Sequence, residues 1–175
     1  MTLARITFAT SAELETYCFH ASGAVQLLAA QACAGKQELS VAERKFAQEL
    51  GAVVRQAEML RDLRRDLGLG LMTLPLQRLE AAGIDAMTVK PGMTSPSFLR
   101  LLEEWRVELR SRVAALPTIL SPRERATQRH GLILAALHAK LIDRIDHRSE
   151  LARVRAEVPS WTRLWTAWRT AVHNS

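Results

Sequence analysis

An all-helical fold is predicted for this 175-residue chain by three observations. Glycine (8) and proline (6) are sparse, so most of the chain lacks residues that interrupt a helix. Apolar residues recur at three and four positions, as in Phe46, Leu50, Val53, Val54, Ala57 and Leu60, which builds one buried helical face. No segment sustains the alternation of a half-buried strand.

Capping signals then divide the chain into elements. Thr10 with Glu13 three residues on predicts a helix over 11–34, closed near Gly35. Ser40 with Glu43 opens a long helix over 41–67 that ends near Gly68 and Gly70. A short helix follows Pro75 and stops at Gly83. A loop with Pro91, Gly92 and Pro96 leads to a helix over 97–115. Ser121, Pro122 and Glu124 start a helix expected over 123–147, and Pro159-Ser160 precedes a last one over 160–173. A length of 175 residues and 48% hydrophobic composition suit one domain over 1–175 with a real core.

The net charge is +6, and the excess sits late in the chain. Residues 1–99 carry ten basic and ten acidic side chains, and residues 100–175 carry fourteen and eight. A basic surface of this kind either solubilises the protein or attracts anionic partners. No zinc-ligand spacing or RNA-binding signature accompanies it, so nucleic acid is not expected as a partner. Two cysteines, Cys18 and Cys33, are too few for a disulfide scaffold and fit a reducing cytoplasm. The N-terminus lacks the apolar stretch of a signal peptide.

Glu58, Asp62 and Asp66 fall at i, i+4 and i+8, which stacks three carboxylates on one helix face. Like charges at this spacing repel unless neutralised. A hard divalent cation such as Mg²⁺ is one neutraliser, and the nearby Arg55, Arg61, Arg64 and Arg65 are the other. Asp143, Asp146 and His147 form a smaller cluster beside Arg144 and Arg148, read as an ion-paired surface. Trp161, Leu164, Trp165 and Trp168 make one apolar face on the last helix, with Arg163 and Arg169 elsewhere. Such a face either packs on the bundle or lies on a membrane surface.

The stretch from Leu50 to Pro75, LGAVVRQAEMLRDLRRDLGLGLMTLP, resembles the second aspartate-rich region of squalene and phytoene synthases. Leu50, Gly51, Leu60, Arg61, Asp62, Asp66, Gly70, Leu74 and Pro75 match that pattern, and Leu79, Ala82, Gly83 and Ile84 suit its continuation. Tyr17 to Val25 looks like the family's tyrosine-led, small-residue helix. The resemblance implies an isoprenoid-synthase-like helical bundle, of which this chain matches the C-terminal part. It implies Mg²⁺-dependent head-to-head joining of prenyl diphosphates of farnesyl or geranylgeranyl type. Asp62 and Asp66, with Glu58, are then the expected metal ligands, and Arg61 lies near the diphosphate. The run Phe19, Ala21 and Gly23 would pass the prenyl chain close to the backbone, although small residues also serve close helix packing.

The chain departs from the pattern at several positions. The family glutamine falls on Arg55 and the asparagine on Glu58, and the arginine and tyrosine of G-R-x-Y-L-P fall on Leu71 and Thr73. The first aspartate motif, expected well upstream of Tyr17, is absent. Three readings follow: a bundle truncated at its N-terminus, a non-catalytic relative acting in assembly or structure, or a bundle completed by a partner chain. The expected location is the cytoplasm, peripheral at the membrane if the tryptophan face is used.

Overall fold

The computed structural model describes residues 7–35, 38–146 and 156–173, and among them no strand occurs. The elements are α1 (Ser11–Cys18), a π turn (Phe19–Gly23), α2 (Ala24–Ala34), α3 (Val41–Gly68), α4 (Leu76–Ala81), a 3₁₀ turn (Ala86–Thr88), α5 (Pro96–Ile119), α6 (Pro122–Thr127), α7 (Arg129–Arg144) and α8 (Ser160–His173). The central rod is α3, against which α1, the π turn, α2, α5 and α7 all pack. Its buried face carries Phe46, Leu50, Val53, Val54, Ala57, Met59, Leu60 and Leu63. Trp105, Leu109 and Leu116 of α5 and Leu132 and Ile142 of α7 complete the same core.

The ends of α3 are set by local chemistry. Ser40 accepts from the Glu43 amide (3.0 Å) and Glu43 accepts from the Ser40 amide (2.9 Å), a reciprocal cap. At the other end Gly70 adopts a left-handed φ of 75°, which residues with a Cβ rarely take. The amides of Gly70 and Leu71 then reach back to Leu67 (3.0 Å) and Asp66 (2.8 Å), a Schellman ending. That turn folds the segment after α3 back alongside its last carboxylates.

Three expected helices differ in the structure. The helix expected over 11–34 is continuous but contains the π turn, in which the Ala24 amide bonds the Phe19 carbonyl. The helix expected over 97–115 runs on to Ile119 through Pro117, and its end is capped by Arg125 Nε donating to Pro117 O (3.0 Å). The helix expected over 123–147 is divided at Gln128, and α7 ends at Arg144. Gln128 is buried, and its Nε2 donates to Ala30 O (3.3 Å) and Glu43 Oε1 (3.2 Å), contacts that no local pattern foretells. His147, Arg148 and residues 153–155 lie outside the described residues.

A polar chain crosses the bundle beside the apolar core. Trp105 Nε1 donates to Gln56 Oε1 (3.1 Å), and Gln56 Nε2 donates to Glu15 (2.8 Å). Arg112 bridges Glu15 (2.6 Å) and Glu49 (2.7 Å). Burial works against the Glu15 carboxylate, but hydrogen bonds from Arg112 and Gln56 outweigh it and hold its pKa below the usual range.

Candidate functional site

Asp62 and Asp66 occupy the last two turns of α3, where the helix dipole presents its negative end. Carboxylates are disfavoured there, and both are buried, each 8% exposed. Arginines offset this locally. Arg61 forks onto Asp62, Nε to Oδ1 at 3.0 Å and Nη2 to Oδ2 at 2.8 Å. Arg65 reaches Asp66 Oδ1 through Nε (3.1 Å) and Nη2 (2.9 Å), and its Nη2 lies 3.4 Å from Asp62 Oδ2. The Arg61–Asp62 pair is bidentate, the stronger form of guanidinium–carboxylate bond, whereas Arg65 places both donors on one Asp66 oxygen. Arg64 lies instead beside Gly92.

The stripe opens onto one small pocket of about 150 Å³, lined by Tyr17, Arg55, Glu58, Met59, Asp62, Arg65, Asp66, Leu71 and Thr73. All three predicted carboxylates are there. Two residues first read as losses from the motif, Leu71 and Thr73, line it too, as does Arg55. Arg55 Nη2 donates to the Tyr17 hydroxyl (3.0 Å), its guanidinium lies 5.7 Å from the Tyr17 ring centre, and Nη1 is 3.7 Å from Glu58. Burial opposes its charge, but Tyr17 and Glu58 hold its pKa above the usual guanidinium value. The chain position of Tyr17, heading the small-residue helix, was the sequence signal for its part here.

The other predicted residues lie elsewhere. Phe19 lines a groove with Glu15, Thr16, Lys45, Gln48, Glu49 and Ala52, apart from the carboxylates. Ala21 is exposed. Gly23 is buried at the crossing with α3, where a Cβ on Gly51 would stand 2.6 Å from Gly23 Cα. There the small residues serve helix packing. Arg61 lines a second groove of about 420 Å³ with Leu134, Leu137, His138, Leu141 and Val158, and Glu58 borders both spaces. Asp143 pairs with Arg110 at 2.8 Å, as an ion-paired surface would.

The donor set suits a hard cation. Mg²⁺ is commonly held by one or two carboxylates, with phosphate and water oxygens filling its octahedron. Among the described residues no three His, Cys, Asp or Glu side chains gather to hold an ion by themselves. Asp62 and Asp66 therefore fit Mg²⁺ together with phosphate oxygens, not as an all-protein cage.

The all-helical bundle has an isoprenoid-synthase-like fold. The squalene/phytoene synthase family model matches residues 1–165, and the chain belongs to that family. A phytoene synthase of Thermus thermophilus is 28% identical over 164 residues, covering 92% of this chain and 54% of the relative. The crystal structure of a dehydrosqualene synthase in complex with ligand superposes with a TM-score of 0.68 at 14% identity, over 95% of this chain and 58% of that one. The chain thus spans little more than half the length of these relatives.

Proposed function

We propose that this chain carries the diphosphate-binding half of a prenyltransferase of the squalene/phytoene synthase type, which joins two prenyl diphosphates head to head. The observation that carries this reading is the burial of Asp62 and Asp66 at the unfavourable end of α3, around a pocket. A helix built only for stability would place lysine or arginine there. Asp62 and Asp66 are the residues that would hold Mg²⁺, with Glu58 on the same face too far off to close a three-carboxylate site; when bound, the ion would neutralise the diphosphate and stabilise its charge on departure. Arg61, largely buried, orients Asp62. Arg65, with 60% of its side chain exposed, is free to turn from the carboxylates to phosphate oxygens. The groove that shares Glu58 is the proposed path for the prenyl chain, with Leu134, Leu137 and Leu141 on its wall beside the polar Arg61, His138 and Arg163. A second aspartate-bearing surface, from another segment or a partner chain, would complete the metal site.

The same arginine pairing favours a second reading. Carboxylates closed by guanidinium forks suit a non-catalytic relative that kept the bundle for assembly. Calorimetric titration with a non-ionising farnesyl diphosphate analogue, with and without Mg²⁺, separates the two. Mg²⁺-dependent binding that Asp62→Ala abolishes supports the transferase half-site. Binding indifferent to Asp62, or none, leaves the assembly reading.

We also propose a cytoplasmic protein peripheral at the membrane. No described helix is long and apolar enough to cross one. Trp161 (73% exposed), Leu164, Trp165 and Trp168 form an exposed face on α8, and the α8 sequence contains no acidic residue.

A further inference from the structure

The last helix is built inside out. At roughly 100° per residue, Trp161, Leu164, Trp165, Trp168 and Val172 share one face of α8, and Thr162, Thr166, Ala167, Thr170 and Ala171 share the opposite one. A helix on the surface of a bundle ordinarily buries its apolar face. Here α8 packs on α7, yet its half-buried residues are the small threonines and alanines. The five large apolar side chains are each more than half exposed, Trp161 and Leu164 most of all at 73%. Three of the four tryptophans in the chain therefore stand in one outward patch. An apolar patch of this kind marks a contact surface.

We infer that this face seats the protein on an anionic lipid leaflet, with α8 lying in the plane of the membrane surface and Arg169 as the cation that meets the headgroups. The inference rests on the peripheral-membrane reading above and names its partner. Charge selects that partner. The 14 residues of α8 include Arg163, Arg169 and His173 and no acidic side chain. Arg163 is engaged elsewhere: it lines the groove beside α7, and its Nη2 donates to Ser160 Oγ (3.3 Å). Arg169 is exposed, flanks the tryptophan face, and pairs with no carboxylate among the described residues. A cation at the border of an indole face lets the rings sit at headgroup level while the guanidinium reaches lipid phosphate. A second copy of this chain is the poorer occupant. Two α8 helices face to face would set the Arg169 and His173 of each against a helix with no carboxylate to receive them.

Phosphatidylcholine vesicles, with and without phosphatidylglycerol, test this on the full chain. Trp105 is fully buried in the core, so changes in tryptophan emission on adding lipid report on α8. Vesicles with phosphatidylglycerol are expected to shift that emission to shorter wavelength and to sediment with the protein, less so as salt is raised. Phosphatidylcholine alone is expected to bind about fivefold or more weakly. Arg169→Gln is expected to lose about fivefold in affinity for the anionic vesicles, the effect of one surface cation, and to keep its melting temperature. Arg44→Gln, which removes an exposed arginine of α3, is expected to bind as the wild type does. Equal binding to both kinds of vesicle, or an Arg169→Gln variant no weaker than the wild type, would overturn the anionic seat and leave membrane contact standing. Binding to neither would overturn both. So would a wild-type dimer in sedimentation equilibrium that Trp161→Glu/Trp165→Glu/Trp168→Glu breaks, since a second copy would then cover the face.

Discussion

At position 51 a hydrogen in place of a methyl group sets how closely two helices cross. A Cβ there would meet the Gly23 backbone at 2.6 Å and the Ser22 carbonyl carbon at 2.7 Å, and backbone cannot swing aside. At Gly131 the obstacle is the edge of the Phe46 ring, also at 2.6 Å, which can shift with its side chain. Gly51→Ala is therefore expected to cost about 3 kcal/mol or more, and Gly131→Ala about 1–2 kcal/mol, in urea unfolding. Equal costs would show that the crossing is not the tighter constraint. The sequence displayed Gly51 as a motif letter and Gly23 within a small-residue run, but it left open whether these glycines admit a ligand or a helix. Only the crossing partner answers that, and the partner is 28 residues away in the chain. The carboxylate stripe was legible because 58, 62 and 66 share one helix and one period. Thr73 was not, because its place depends on the left-handed turn at Gly70.

The ends of helices were the most legible features at the scale of the element. The serine caps at 40 and 121 form the full reciprocal box, whereas at Thr10 the hydroxyl caps the Glu13 amide and the Glu13 carboxylate takes the Ala9 amide instead. What local pattern could not show are features created by neighbours, such as the passage of α5 through Pro117 under the Arg125 cap. The last helix is a case where the pattern was plain and its use was not. Nothing on α8 is buried, and Trp165 stacks on Trp168 with ring centres 5.1 Å apart. Co-sedimentation with vesicles containing anionic lipid is expected for the wild type and not for Trp161→Glu/Trp165→Glu/Trp168→Glu. Because those side chains face outward, the triple variant should keep its melting temperature. Retained sedimentation would remove the membrane role from α8.

Across the whole molecule, stability depends on a polar seam as well as on apolar burial. Gln56 is fully buried and joins Trp105 to Glu15, so Gln56→Leu strands an indole N–H and removes a carboxylate partner. A loss of about 1–3 kcal/mol is expected in chemical denaturation. The dependence on pH has two steps. Burial pushes the pKa values of His130 and His138 below their ordinary 6.5, so the folded protein holds them neutral while the unfolded chain takes up protons. Stability must then fall as pH drops below about 6.5. Glu15 has a folded pKa below the ordinary 4.5, so its contribution is present above that value and is lost as pH falls through the folded one. Melting temperatures from pH 7.5 to 3 should show both declines, and His130→Gln/His138→Gln should flatten the first alone. The fold class was readable from periodicity because the long helices α3, α5 and α7 each carry their own core stripe. The seam was not, since its members come from three helices far apart in sequence. The π turn, finally, stores one residue more than an α-helix would between Cys18 and Ala24. It offsets the angular phase of everything before it by roughly 100° relative to everything after. With that offset Tyr17 meets the carboxylate pocket while Gly23 meets Gly51. A relative that lacks the extra residue would have its tyrosine a quarter-turn or more away from this pocket, so two chains with the same letters at these positions need not share a site.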